Sequence, residues 1–376
     1  MPSPTTILLL AGEASGDQYG ARLAQELKQR LGDVRLLGLG GPAMEAEGVD
    51  LHADLNDLAV MGFAEVVRHL GFFRRLEKKL RALIASGTVD LVVPIDYPGF
   101  NMRIMKAAHS AGIPVLWYVA PKVWAWKERR TRALARCASE VATILPFEQP
   151  FLRDRGVSAT YVGNPLMDRP NDVMDRSAFC ERWSLDPDRP ILGILPGSRR
   201  QEIDRHLTVF AEAARQVTAS RPDVQPVLAR AAHLAPELLR PAGLPVIDDT
   251  RGVQRHSEAA LVKSGTGTLE TALERTPFVM AYETSPLTWW IVKRAVTLDH
   301  WALANLIAEE RVMPEFIQGD MKPDRLCEAL LPLLDPGSRE RTRQLEGIAR
   351  IRERVGDAGA AGRVADMAVH LLDARG

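Results

Sequence analysis

Two consecutive α/β domains, each built on a parallel sheet, are what this sequence predicts, on three observations. Short apolar runs bounded by turn formers alternate with helix-like stripes along most of the chain. The alternation breaks at the Asp- and Pro-rich stretch Asp168–Pro190 and then starts again. At 376 residues the chain is too long for a single compact core. The predicted division is 1–168, 169–345 and a helical C-terminal segment, 346–376, expected to pack back on the first domain. Two such domains joined by a short linker are expected to leave a deep cleft between them.

In the first domain, Ile7–Leu10 reads as a strand and is followed by Gly12-Glu-Ala-Ser-Gly-Asp17. Tyr19, Leu23, Leu27 and Leu31 then recur at i+4 spacing, one stripe of a helix whose start is marked by the capping-box pair Ser15 and Gln18. Further strands are predicted at Arg35–Leu39, Leu91–Ile95, Val115–Val119, Val141–Leu145 and Thr160–Val162. In the second domain they fall at Ile191–Leu195, Val224–Leu228, Leu244–Ile247, Ala259–Val262 and Phe278–Tyr282. From about Asp324 onward the pattern is amphipathic and helical.

The run Leu91-Val-Val-Pro-Ile95 is apolar throughout, as a strand buried on both faces must be, and it ends in Asp96 before Pro98-Gly99 turns the chain. Ligands of open parallel sheets bind at the carboxyl ends of strands. Asp96 is therefore either a general base or a cap for the next helix; the residues alone allow both.

Two turns of the second domain suit phosphate. Leu195-Pro-Gly-Ser-Arg-Arg-Gln-Glu202 follows a strand, and Ser198 with Gln201 fits a capping box, so free amides and Arg199 would meet an anion at a helix start. Lys263-Ser-Gly-Thr-Gly-Thr-Leu-Glu270 repeats the arrangement, with small residues Ser264, Gly265 and Thr266 permitting close backbone approach. Glu270 either favours the helix dipole or grips ribose hydroxyls.

Composition removes other classes. Lys+Arg and Asp+Glu are both 48, so no net field recruits nucleic acid. Trp117, Trp124 and Trp126 beside Lys127, Arg129, Arg130 and Arg132 keep a basic-patch nucleic-acid reading as an alternative. Cys137, Cys180 and Cys327 lie far apart, which argues against a disulfide framework or zinc site and for a reducing cytoplasm. Met1–Thr6 lacks a basic n-region, so no secretory leader is expected, and no run approaches 18 apolar residues. There is no Walker loop, HExxH or G-x-S-x-G. Asp186-Pro-Asp188 mimics a metal-binding acidic pair but reads as a turn in a linker. Gly38-Leu-Gly-Gly-Pro-Ala43 matches G-x-G-x-x-A, the rival NAD(P)-dependent oxidoreductase reading. Pro42 within the turn and the lack of a predicted strand ending in an acid around His52–Asp57 count against it.

Together these pieces resemble the lipid-A-disaccharide synthase family. The matching residues are Gly12–Asp17, Gly38–Pro42, Leu58–Gly62, Ile95-Asp96, Val123-Trp-Ala-Trp126, Leu145-Pro-Phe-Glu148, Leu195–Arg199, Ser264-Gly-Thr266 with Glu270, and Asn305-Leu306, in family order over nearly the whole chain. The resemblance implies two Rossmann-like domains of the glycosyltransferase-B architecture and a metal-independent inverting transfer. UDP-2,3-diacylglucosamine would be joined to 2,3-diacylglucosamine 1-phosphate through a β-1,6 bond, releasing UDP, with no cofactor. It makes Asp96 the base. It carries Glu13, Ser15, Asp17, Asn164, Ser198, Arg199, Ser264, Gly265, Thr266, Glu270 and Asn305 over as substrate or nucleotide contacts. Gly163-Asn-Pro165 departs from the family's Gly-His-Pro, and an asparagine cannot transfer a proton at neutral pH. The resemblance also implies a cytoplasmic protein peripheral to an anionic inner-membrane surface, with a homodimer left open. Val66–Arg81 is the expected docking segment, with Phe72 and Phe73 inserting; Trp289-Trp290 beside Lys293-Arg294 is the substitute.

Overall fold

The computed structural model describes residues 4–54, 65–295 and 299–375, and divides into two compact units. The first comprises residues 1–169 and 357–376, and the second 170–356. The second division falls eleven residues beyond the expected 345/346, because the helix Arg339–Val355 stays whole within the second unit.

The first unit holds a seven-stranded sheet: β1 Thr5–Ala11, β2 Val34–Gly40, β3 Asp50–Asp54, β4 Leu91–Ile95, β5 Leu116–Tyr118, β6 Glu140–Thr143 and β7 Ala159–Tyr161. Their spatial order is β3-β2-β1-β4-β5-β6-β7, all parallel. Side chains of a strand alternate between faces, and both faces here are buried. Leu8 and Leu10 pack into one core with Leu37, Val92 and Trp117, whereas Ile7 and Leu9 pack into the other with Leu23, Leu27 and Val93. That second core takes in Ala360, Val364, Ala365 and Ala368 of the helix Ala360–Asp373. Asp168 caps this helix, accepting from the amides of Gly359 (2.5 Å), Ala360 (3.2 Å) and Ala361 (3.2 Å), and Arg30 pairs with Asp366 at 2.6 Å. The last helix of the chain thereby completes the first unit.

The second unit holds β8 Ile191–Leu195, β9 Gln225–Ala229, β10 Val246–Ile247, β11 Ala259–Lys263, β12 Phe278–Tyr282 and β13 Glu315–Ile317, in the order β10-β9-β8-β11-β12-β13. These strands too are parallel throughout.

Several expectations are corrected. The helix Ala14–Leu31 starts one residue before Ser15, with Glu13 as its N-cap and no side-chain cap, so Ser15 and Gln18 form no capping box. The helix Arg200–Ser220 likewise begins after Arg199, and Glu202 rather than Gln201 closes its first turn. Strand β3 was not predicted: its sequence Asp-Leu-His-Ala-Asp is polar, as an edge strand can be, and it ends on an acid. The short strand β13 was missed for the same lack of an apolar run.

Phe73 is a core residue and not the exposed one expected. It is 8% exposed, 5.9 Å from the Phe100 ring and edge-on to Phe72, and it joins Leu76, Leu80 and Ile84 in the first core. Phe72 packs partly buried against that core, while Arg74, Arg75, Lys78, Lys79 and Arg81 are exposed. The side chains of Val66, Val67, Leu70 and Lys293, and the whole of Leu58–Gly62, lie outside the described residues.

Candidate functional site

In a doubly wound sheet the ligand crevice opens where successive strands leave in opposite directions. In the first sheet that point lies between β1 and β4, where Ala11 pairs with Ile95. The residues that follow these two strands are Gly12-Glu13 and Asp96-Tyr97. Gly12 is required there, because a Cβ on it would lie 2.3 Å from the Tyr97 ring.

Asp96 is held by its backbone. Its amide donates to Tyr118 O at 3.0 Å, and its carbonyl accepts from Asn101 Nδ2 at 2.8 Å. Asn101, fully buried, also donates to Leu10 O at 3.0 Å and so ties the ends of β1 and β4 together. Asp96 and Tyr97 both adopt left-handed conformations, φ 47° and 49°, which non-glycine residues seldom take and which cluster at functional sites. Burial, then the Glu13 carboxylate, push the Asp96 carboxyl up to about 6, against the opposing pull of Lys122. A carboxylate near 6 is a better proton acceptor than an ordinary one and is still ionised at neutral pH.

Sequence reasoning did not single out Lys122, and it named Glu148 only as the last residue of the family motif Leu145–Glu148, with no role. Glu148 is 1% exposed and accepts from Trp124 Nε1 (3.0 Å), Ile144 N (3.2 Å) and Leu145 N (3.1 Å). Burial pushes it up to about 7, with those hydrogen bonds pulling it back. It anchors the Val123–Trp126 segment, which follows Lys122. The spacing of Trp124 and Glu148 held no signal for this contact; only the adjacency of the loops after β5 and β6 makes it.

Three expected contacts are committed elsewhere. Asp17 is 3% exposed, and its carboxylate accepts from Gly41 N (2.7 Å), Ala43 N (3.1 Å) and Met44 N (3.0 Å), capping the five-residue helix Pro42–Ala46. Asn164, also buried, accepts from Leu166 N and donates to Ile144 O, both at 3.0 Å. Asn305 makes four bonds, donating to Met313 O and Glu315 and accepting from the amides of Val312 and Met313. These amide and carboxylate groups hold the fold.

The same capping undoes the dinucleotide reading; of the two grounds expected, Pro42 in the turn stands, while the missing acid-ended strand does not, since β3 does end on an acid. Gly38 and Gly40 lie inside β2, where a Cβ would strike Leu9 O at 2.6 Å or Met44 Sδ at 2.5 Å. The amides after them are already taken by Asp17. The aromatic–basic patch is also divided: Trp117 is in the core, Trp124 is tied to Glu148, and only Trp126 is exposed, beneath Lys127 at 4.0 Å.

In the second sheet the crevice point lies between β8 and β11, where Leu195 pairs with Val262. Both predicted anion turns follow these adjacent strands. Gly197 has φ 130° and Gly265 has φ 138°, conformations open to glycine. Ser198 and Arg199 are exposed; Thr266 is exposed and Glu270 half-buried in the helix Thr266–Leu273. Ser264 Oγ donates to Trp301 O at 2.9 Å. Glu202 Oε2 accepts from Ser198 N (2.9 Å) and Arg199 N (3.2 Å), and its Oε1 meets Lys263 Nζ at 2.7 Å. Behind them His206, buried and pushed down to about 4 by desolvation, lies 2.7 Å (Nδ1) from Glu202 O and accepts from Glu283 N (3.0 Å) on Nε2. Among the described residues no three His, Cys, Asp or Glu side chains come together as a metal site. Asp186 accepts from Asp188 N at 3.0 Å, a local turn.

The model of the lipid-A-disaccharide synthetase family matches residues 7–358. The lipid-A-disaccharide synthase of Geobacter sulfurreducens is 39% identical, covering 97% of each chain. Among solved structures, the glycotransferase of kitacinnamycin superposes with TM-score 0.65 at 18% identity, over 98% of this chain and 100% of that one. The UDP-GlcNAc 2-epimerase of Neisseria meningitidis gives 0.65 at 13%, with the same coverage. At such identities these two likenesses show the fold.

Proposed function

Because the chain belongs to the lipid-A-disaccharide synthetase family, it is a glycosyltransferase of lipid A biosynthesis, and we propose that it transfers 2,3-diacylglucosamine from UDP to 2,3-diacylglucosamine 1-phosphate. The observation that carries the mechanism is Asp96, a part-buried carboxylate raised to about 6 at the crevice end of β4. The acceptor's primary hydroxyl attacks the anomeric carbon as its proton passes to Asp96. The bond to the UDP oxygen breaks in the same displacement, so the configuration inverts and the link is β-1,6. Charge developing on the leaving diphosphate is met by Arg199 and the amides of the turns after β8 and β11. Glu270 is the ribose contact.

UDP is expected to raise the melting temperature and NADH to leave it unchanged, since only a ligand of the native state shifts unfolding. Arg199→Ala and Glu270→Ala should each shrink the UDP shift. Protection by NADH alone would overturn the transferase reading, and unchanged shifts in both variants would place the nucleotide elsewhere. Formation of disaccharide from the two lipid substrates tests the reaction itself.

No helix among the described residues is long and apolar enough to cross a membrane. Acylated substrates then require docking at a surface, and the exposed aromatic–basic pair Trp290 and Arg294 fits that role. Trp290 is 58% exposed, with the Arg294 guanidinium 3.7 Å over its ring. Trp290→Ser should lower sedimentation with anionic vesicles without loss of stability. Phe73→Ser should instead cost on the order of 3–5 kcal/mol of stability, as truncation of a buried ring does. If Trp290→Ser binds vesicles as the parent does, docking lies elsewhere.

A further inference from the structure

The turn after β8 already carries an anion of its own. Glu202 is three residues into the helix Arg200–Ser220, and its carboxylate folds back over the turn, so that a Cβ on Gly197 would lie 2.6 Å from its Oε2. One oxygen takes the amides of Ser198 and Arg199, and the other takes the Lys263 ammonium at the end of β11. Desolvation works to raise the Glu202 carboxyl, but Lys263 and the hydrogen bonds from both amides outweigh it and hold the group below its ordinary value, favouring the charged form. The backbone beneath is braced: Glu202 O contacts neutral His206, and Ser198 O contacts His233 Nε2 at 2.7 Å. The backbone of the turn is thus braced from behind, and the Glu202 side chain is the part of the arrangement that can leave without moving that backbone.

A diphosphate oxygen and this carboxylate cannot use the same two N–H donors, and both are anions. We propose that Glu202 is an internal stand-in for the donor's diphosphate. It holds the Ser198 and Arg199 amides and Lys263 in place, and leaves when the nucleotide arrives. Lys263 is handed from the carboxylate to the diphosphate in the exchange. The reverse exchange, with Glu202 returning to the turn, helps expel UDP after transfer. This rests on the nucleotide reading of the turn given above, and makes Glu202 a positioning and exchange residue rather than a catalytic one.

The test is UDP affinity by calorimetry in the full-length protein, with melting temperature recorded without ligand. Glu202→Gln removes the competing charge while keeping the shape. It is expected to bind UDP about tenfold tighter, the scale of a charged hydrogen bond given up by the competitor, and to melt lower without UDP. Glu202→Asp, too short to reach both amides and Lys263, should also bind tighter and serves if the glutamine variant does not fold. Lys263→Gln should bind weaker. Parent-like or weaker affinity in the folded Glu202 variants overturns the exchange. If Arg199→Ala weakens UDP while the Glu202 variants do not tighten it, the exchange fails and the site stands. If Arg199→Ala leaves UDP binding unchanged, the site itself is wrong and the exchange falls with it.

Discussion

Asp96→Asn is expected to lower turnover by about 10²–10⁴ while UDP binding is retained, the usual cost of losing a general base. The amide keeps the size and local hydrogen bonding of the carboxylate but cannot take the acceptor's proton. UDP affinity should hold because the contacts proposed for it are drawn from the second unit. The parent's turnover should fall as pH drops through about 6, where Asp96 takes up its proton, and the residual activity of the variant should lack that limb. Stability gives an independent check. The folded-state pKa lies above the unfolded one, so folding favours the protonated form. The stability this contributes is complete below the ordinary carboxylate range and is lost as pH rises through about 6. At pH 8 the parent therefore holds an unfavourable buried charge, and Asp96→Asn should be the more stable protein, by on the order of 1–2 kcal/mol. Near-parental turnover, or a pH limb that survives the substitution, would remove Asp96 as the base.

Asp17→Ala should act on the other side, destabilising the protein by roughly 3–5 kcal/mol, because three backbone donors lose a charged acceptor at once. Asp17 is almost fully buried, and Gly41, Ala43 and Met44 point their amides at it. Urea unfolding of variant and parent measures the loss. Were Asp17 a substrate contact, stability would hold and only acceptor or donor affinity would fall; that result would refute the capping role.

The same contrast separates what could be read from residues in order from what could not. Apolar strands such as Ile7–Leu10, Leu91–Ile95 and Ile191–Leu195 were legible because strands buried on both faces must be apolar throughout. The polar edge strand β3 and the short β13 carry no such pattern and were not found. Asp96 and the two Gly-containing turns were legible for a related reason: a strand end followed by turn formers is a local arrangement. Ser15 and Ser198 misled because a capping box needs only the right types three apart. Which residue starts the helix depends on how the turn packs, and here Glu13 and Arg199 hold those places.

The family motifs in their order, the two parallel sheets and the strand-end position of Asp96 were determined by the sequence itself, through apolar patterning and local turn chemistry. The roles of individual polar residues were decided only by tertiary structure. Asp17, Asn164 and Asn305 look like ligand-binding groups until Gly41, Ile144 and Met313, distant in the chain or out of register with any local motif, are seen to use them. Conversely, the raised pKa of Asp96 comes from burial and from Glu13, 83 residues earlier, and Lys263 meets Glu202 across 61. A polar side chain's function depends on which partners satisfy it and how far it is removed from water. Both are set by long-range packing, which no stretch of sequence contains.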